Sequence, residues 1–445
     1  MIAMHAPPPV APFSVAARHA VRMPMQAEPD TAVLTSQQYL RLIRWVGVAT
    51  PINTPVVAVL DTGVQQGAAG LQGRVNGTWA ISFVNGGNPL VDPDGHGTHV
   101  AGIIATVASG TAARPGVSIL PVQIADAQGS TSAQSVAAGI RYAVSRGAKI
   151  INLSVQGAGY SKIEQSAIDD ATRAGGLVIA ASGNTGSDAK EYPGAYRHVL
   201  AVGAVDPSGQ PLPDSTRGLQ VAVAAPGLNI VSSSNDLNAR FATRSGTSMA
   251  AAIVSGVAAR ILAARPTLSP AQVTDLIMSS GNNPASAVDR ARGTGVVNLV
   301  KALRTRTPLA DAPEPDDDPP NARILPPLIA KGQSQGERYG RLRTWADLRD
   351  DSVVRLEAGQ LLTAEATVTN KCDVDLYLWR PGAPAIKSDT AFPRQWLAKG
   401  AVSRGSVENL VYRVPKSGNY VIEVRLAGAQ RIVRPSYHLQ VSLSK

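Results

Sequence analysis

Five nearly unbroken apolar runs dominate the first half of the chain. "VVAVLD" (56–61) is followed by "SILPVQI" (118–124), "IINLSV" (150–155), "LVIAASG" (177–183) and "VLAVGAV" (199–205). A strand with one wet face alternates apolar and polar residues, and these runs do not. Such runs belong to a parallel sheet covered on both faces. Helical patterns fill the intervals, over 133–146, 163–174, 247–264 and 270–279. Strands alternating with helices predict an α/β fold, a doubly wound and mostly parallel sheet.

The chain's 445 residues leave room for two or three domains. Hydrophobic residues make up 44% and aromatics only 4%, so the core is built mostly from Ala, Val, Ile and Leu. The α/β texture closes near "GTGVVNLVKALR" (293–304). We read 1–38 as a Pro- and Ala-rich N-terminal extension, 39–305 as the α/β domain and 306–340 as a Pro/Asp-rich linker. Over 341–445 the segments "LLTAEATVTN", "DVDLYLWR", "LVYRV", "NYVIEVRL" and "YHLQVSL" alternate apolar with polar residues. That pattern predicts a small all-β, antiparallel sandwich.

Several function classes fall away. The net charge of +10 is scattered and not interleaved with aromatics, which describes a solvated basic surface and no nucleic-acid partner. The single cysteine, Cys372, excludes an internal disulfide framework and a Cys-rich metal site. No run reaches the roughly 20 apolar residues of a membrane span. The N-terminal "MIAMHAPPPVAPFSVAARHA" has no cationic start, and Pro7 to Pro9 interrupt its apolar stretch, so no conventional secretory signal is readable.

Chemistry in α/β sheets collects at the carboxyl ends of strands. Asp61 ends "VVAVLD"; it reads as a helix cap or as an acid. His96 sits in "DPDGHGTHVAG" (92–102), with glycines on both sides that leave the ring accessible and a helix after it. Asn184 follows the 177–183 run in "AASGNTG", as a turn former or as an amide donor. Ser248, in "SGTSMAAAIVSG" (245–256), opens an apolar helix. It is either a cap or a hydroxyl placed beside unpaired backbone N–H groups. Together the four make a stronger case than any alone. A serine needs a base, the base needs an acid, and the oxyanion needs fixed donors. No GxSxG elbow is present, which argues against an α/β-hydrolase esterase.

At these residues the chain resembles the subtilisin-like serine peptidases, or subtilases. "AVLDTGV" (58–64), "HGTHVAG" (96–102), "AASGN" (180–184) and "GTSMAA" (246–251) are similar to that family's aspartate, histidine, asparagine and serine motifs. "EYPGAYRHVLAVGAVD", "AAPG" and "GTGVVNLVKAL" look like further family segments, and the resemblance spans about 39–305. It implies a serine endopeptidase acting through an acyl-enzyme. Ser248 would be the nucleophile, His96 the base and Asp61 its partner, with Asn184 in the oxyanion hole. His99 is read as structural. The implied substrate edge is Ser154, Val155, Gln156 and Gly157, where a substrate backbone pairs antiparallel. Ala181, Ser182, Gly183 and Glu191 would line the rest of the site. A carboxylate at Glu191 favours Lys or Arg before the scissile bond; the alternative is a surface glutamate.

The sequence also departs from the family. Ala252 stands where subtilases usually carry proline, which raises a peptide ligase as an alternative. A catalytically silent binding scaffold is another. The loop 105–117 has no Asp, Asn or Glu, so no metal or other cofactor is expected, and only a weak calcium site near 192–196 stays open. The extension is too short for the family's usual globular pro-domain, so it is a relic or folding proceeds without it. "DVDLYLWRPG" and "SGNYVIEV" resemble the bacterial pre-peptidase C-terminal (PPC) domain. In it, Asp373 and Asp375 read as calcium ligands or, more simply, as residues that cap or solvate a strand. The expected partners are polypeptide substrates, with a monomeric chain. Family habit implies a secreted or cell-envelope protein; the unreadable signal points to the cytoplasm.

Overall fold

The computed structural model describes residues 13–15, 38–46, 54–109, 116–157, 159–282, 289–308, 327–342, 349–369, 372–384, 394–402, 405–427 and 435–445. The chain divides into two compact units, Met1–Pro284 with Asp289–Pro308, and Ala285–Val288 with Leu309–Lys445.

The strands of the first unit are β1 (Phe13–Val15), β2 (Val56–Asp61), β3 (Ile81–Ser82), β4 (Ser118–Gln123), β5 (Ser130–Thr131), β6 (Ile150–Leu153), β7 (Val155–Gln156), β8 (Leu177–Ala181), β9 (Val199–Val205), β10 (Val221–Pro226), β11 (Ile230–Ser233) and β12 (Phe241–Arg244). Its helices are α1 (Gln38–Leu42), α2 (His96–Ala108), α3 (Ala133–Ser145), α4 (Lys162–Arg173), α5 (Thr247–Ala264), α6 (Pro270–Ser280) and α7 (Leu299–Arg304). Seven strands form one sheet in the order β10-β9-β8-β6-β2-β4-β3. Every pairing in it is parallel, as the unbroken apolar runs require.

Successive side chains of a strand face opposite ways. Ala58 and Leu60 of β2, with Leu120 and Val122 of β4, pack on Val136 and Ile140 of α3 and Ala167 and Ile168 of α4. Asn152 of β6 faces the other layer, where its Oδ1 accepts from the Ser255 hydroxyl of α5 at 2.9 Å. Both faces are covered, so both need apolar side chains. Helix α5 is buried along its whole length except Ala264. Among the described residues it alone is long and apolar enough to cross a membrane, with mean hydropathy 1.6, and it serves here as a core helix.

Two departures from the sequence reading matter for the site. The run 150–155 breaks at Ser154 into β6 and β7, so the chain leaves the parallel ladder there. Strand β1, inside the stretch read as a featureless extension, belongs to a second sheet of order β5-β1-β7.

The second unit contains β13 (Gln335–Arg341), β14 (Arg349–Leu356), β15 (Leu361–Val368), β16 (Val374–Trp379), β17 (Leu397–Ala401), β18 (Val407–Arg413), β19 (Gly418–Leu426) and β20 (Ser436–Ser444). They form two antiparallel sheets, β13-β20-β15-β18 and β14-β19-β16-β17. Leu362, Ala364, Leu439 and Val441 of the first share one core with Val354, Leu376, Ile422 and Val424 of the second. Two sheets closed on a common core are the sandwich that the alternation predicts. Strand β13 begins inside the span read as linker. The Asp373 carboxylate accepts from Gly405 N–H at 2.9 Å, and that of Asp375 from the Tyr377 hydroxyl at 2.9 Å.

Candidate active site

Asp61 ends β2 at the carboxyl edge of the large sheet and is fully buried. Its Oδ1 lies 2.7 Å from His96 Nδ1 and accepts the Thr62 backbone N–H at 2.8 Å. The carboxylate therefore holds a histidine and does not cap a helix. The Thr62 hydroxyl donates to Asp92 at 2.7 Å and accepts Gly97 N–H at 3.1 Å.

His96 is the first residue of α2. Asp92, itself buried, fixes that helix start by accepting Gly95 N–H at 2.8 Å and Thr98 N–H at 2.7 Å. Burial raises the Asp92 carboxyl above the ordinary aspartate range, against the lowering effect of its bonds to Thr98 and Thr62. Gly97 permits the close approach of α2 to β2, because a Cβ there would sit 2.1 Å from the Gly63 carbonyl oxygen. The glycines beside His96 thus serve packing and do not expose the ring. His96 is 0% exposed, which overturns the expected accessibility. Its Nε2 is buried without a hydrogen-bond partner among the described residues.

His99 lies one turn on, with Nε2 at 3.0 Å from the Ile230 carbonyl and 3.1 Å from that of Ala242. Burial, then the charges of Arg244 and His96, push its pKa down to about 3. It stays neutral and ties α2 to β11 and β12.

Ser248 is the second residue of α5. The N-cap position belongs to Gly246, whose φ of 137° suits glycine, and it makes no side-chain cap bond. Ser248 is therefore not the cap of its helix. Its hydroxyl donates to the Ser154 carbonyl at 3.3 Å, and Ser154 Oγ donates back to the Ser248 carbonyl at 3.2 Å. Asn152 Nδ2 in turn holds Ser154 Oγ at 3.0 Å. The break after β6 thus locks the start of α5 against the sheet. The hydroxyl is turned to Ser154, and no hydrogen bond joins it to His96 Nε2.

Asn184 follows β8 and does more than form a turn. Its Oδ1 accepts Thr247 N–H at 2.9 Å and the Thr247 hydroxyl at 3.0 Å, capping one of the unpaired amides at the start of α5. Gln156 Oε1 accepts the Asn184 backbone N–H at 2.8 Å, so Gln156 braces this corner.

Ala181 closes β8, and Ser182 donates its N–H to the Val202 carbonyl at 3.0 Å. Gly157 bridges Tyr192 through two backbone bonds of 2.7 and 2.8 Å. Glu191 is 6% exposed and packs against Gly183, where an added Cβ would meet its Cγ at 2.8 Å. It is not the surface glutamate of the alternative reading. Burial raises its carboxyl above the ordinary range, partly offset by a hydrogen bond with Thr185. Ala252 is buried in α5, which continues unbroken past it.

Sequence reasoning missed Asp92, Thr62, Asn152, Ser255 and Thr247. Only Thr62 and Thr247 carried a signal, as neighbours of residues already chosen. Among the described residues, no group of three or more His, Cys, Asp or Glu is placed to hold a metal ion. The segment 110–115 of the loop read for calcium lies outside the described residues.

Comparison with known proteins matches this part of the chain. The sequence model of the subtilase family covers residues 53–295. Subtilisin DY of Bacillus licheniformis is 35% identical over 257 residues, 56% of this chain and 90% of that protein. The cell wall-associated protease of Bacillus subtilis (strain 168) is 36% identical over 236 residues, 52% of this chain but only 26% of that longer protein. The crystal structure of a lanthipeptide protease superposes with a TM-score of 0.53 at 24% identity, covering 61% of this chain and 96% of the other, a likeness of fold. A parallel sheet that carries an aspartate-held histidine, with a family match across more than half of its length, makes this chain a member of the subtilase family.

Proposed function

We propose that the chain is a serine endopeptidase in which Ser248 attacks the peptide carbonyl, His96 carries the proton and Asp61 holds His96. The observation that carries this reading is the 2.7 Å contact of Asp61 Oδ1 with His96 Nδ1, with Nε2 left without a partner. Asp61 accepts the Nδ1 proton, so Nε2 is the basic nitrogen. A rotation of the Ser248 hydroxyl away from Ser154 would present its proton to that nitrogen. Serine Oγ then bonds the carbonyl carbon, and His96 takes the proton. The negative oxygen rests on the Asn184 amide and the Ser248 N–H. His96 returns the proton to the leaving nitrogen as the C–N bond breaks. Water gives a proton to His96 as its oxygen bonds the ester carbon; the carbon–Oγ bond then breaks, Ser248 Oγ takes that proton back, and the acid is freed. The reading requires no cofactor. A fluorophosphonate probe should attach to Ser248 alone; attachment elsewhere, or none, overturns it.

Glu191 is read as setting a preference for Arg or Lys before the scissile bond, supported by its burial against Gly183. Glu191→Gln should lower the ratio of kcat/KM for arginine over leucine substrates by about tenfold, or ~1.4 kcal/mol. Its pKa is raised, so the charge exists only above that raised value. The arginine preference therefore fades as pH falls, at a higher pH than an ordinary glutamate would give, and the glutamine variant lacks this dependence. Peptides that are cut equally after leucine and arginine by the parent chain would remove the role.

The sandwich is read as a PPC-like domain for binding substrate or surfaces, supported by its two antiparallel sheets. A secreted or cell-envelope location and a monomeric state complete the reading. The cell wall-associated relative supports the location.

A further inference from the structure

Helix α1 ends in a pair of backbone bonds that closes many helices. Trp45 N–H donates to the Leu40 carbonyl at 2.8 Å, and Arg44 N–H to that of Arg41 at 3.0 Å. Such an ending puts the residue at the position of Arg44 in the left-handed region, and its φ is 54°. Glycine usually stands there, because it has no Cβ to clash. An arginine in that place is strained, and strain of this kind gathers at ligand clamps. Arg44 lines a cavity of about 490 Å³ together with Asn298, Val300, Lys301, Arg304 and Thr305. Three of these six residues are cations and none is an acid. The volume is that of a small-molecule site.

The simpler account of Lys301 and Arg304 is that cations suit the carboxyl end of α7. Arg265 already fills that role. Its guanidinium donates to the Thr305 carbonyl at 3.0 Å and to that of Leu303. Arg44 and Arg304 make no side-chain hydrogen bond or ion pair among the described residues. Lys301 Nζ gives one proton to the Gly281 carbonyl at 3.2 Å and keeps two. Asn298 Oδ1 accepts Lys301 N–H at 2.9 Å as the N-cap of α7, so its amide N–H groups remain for a ligand. The frame beneath is fixed. Leu299 N–H donates to the Ile43 carbonyl at 2.8 Å, and Ile43, Leu299 and Ala302 are fully buried. We infer that this cavity binds a small polyanion, a molecule that carries two or more phosphate or carboxylate groups. A single anionic group satisfies one guanidinium and leaves the other unpaired. Two linked groups meet both, each in the two-pronged geometry that a guanidinium favours. The site draws nothing from the peptidase chemistry and stands or falls apart from it.

Calorimetric titration of the full chain at fixed ionic strength tests the site, with inorganic tripolyphosphate, citrate and orthophosphate as titrants. Saturable binding of one tripolyphosphate or citrate per chain is expected, tighter than orthophosphate. Arg44→Gly and Arg304→Gln should each weaken it about tenfold, the loss of one charge-assisted pair. Arg44→Gly also separates binding from folding. Glycine suits the left-handed position, so the ligand-free variant should melt no lower than the parent. Arg141→Gln controls for the overall positive charge. Arg141 is exposed and pairs with Asp170 at 2.9 Å, and its loss should leave the dissociation constant unchanged. Equal weakening in all three variants means diffuse attraction to a basic surface and overturns the site. So does the absence of saturable binding, or an Arg44→Gly chain that binds as tightly as the parent. Orthophosphate binding as tightly as the larger anions overturns the polyanion. Binding of tripolyphosphate alone upholds the site and makes its ligands phosphates; binding of citrate alone upholds it and makes them carboxylates.

Discussion

Replacing Ser248 by alanine is expected to lower kcat by about 10⁶, the loss that follows removal of the serine from an Asp-His-Ser triad. The reasoning is local. The hydroxyl stands in the first turn of α5, and the His96 Nε2 that would take its proton has no hydrogen-bond partner among the described residues. On the proposed reading alanine deletes the attacking atom and leaves β7, the proposed groove edge, untouched, so KM for peptides should change little. Stability should hold as well. The side chain caps nothing, its one hydrogen bond is a long 3.3 Å, and alanine favours the helix. The loss of that bond costs at most ~1 kcal/mol. Turnover measured beside the melting temperature checks both halves. A loss below about 100-fold would put the nucleophile elsewhere.

The sheet was legible because burial on both faces leaves no choice of residue. Strands β2, β4, β6, β8 and β9 announce themselves as runs of Val, Ile, Leu and Ala. Strand β10 does not. Its "VAVAAP" is alanine-rich and ends in proline, and its place beside β9 makes it a strand. Strand β14 hides for a different reason. Arg349, Asp350 and Asp351 are charged and yet buried, so the alternation that reveals β15 fails there. The four catalytic candidates were legible as motifs, but their surroundings were not. Asp92 acts across the fold, on Thr62 and Thr98 and with its carbonyl on Asn235, and no local spacing encodes that. Glu191 sits between a lysine and a tyrosine and reads as a surface residue. It is buried because Gly183 leaves it space. The glycines around His96 mark close approach of backbones, and the sequence alone offered exposure as the simpler meaning. Strand β1 was the least legible of all. Three residues of a Pro- and Ala-rich stretch become a strand only because Ser130 and Gln156, far along the chain, offer two open edges.

Asp61→Asn is expected to lower kcat by about 10⁴ while leaving the fold in place. Asp61 Oδ1 accepts from both His96 Nδ1 and Thr62 N–H, so an asparagine of the same shape presents either its oxygen or its amide nitrogen to both. If its amide nitrogen turns to His96, Nδ1 has to accept, and the proton moves to Nε2. The ring is then in the wrong tautomer and has no lone pair for the Ser248 proton. If its oxygen stays, the tautomer survives, but a neutral amide no longer stabilises the imidazolium that forms during attack. Either way the base is weakened and the nucleophile is not. Folding loses little, because the site gives up a fully buried negative charge and keeps its volume. The decisive measurement is the double variant. If Asp61, His96 and Ser248 act as one unit, adding Asp61→Asn to Ser248→Ala should cost almost nothing further in kcat, since there is no longer a hydroxyl to activate. Two losses that multiply would mean that Asp61 supports the fold or the groove independently, and would separate it from the serine's chemistry.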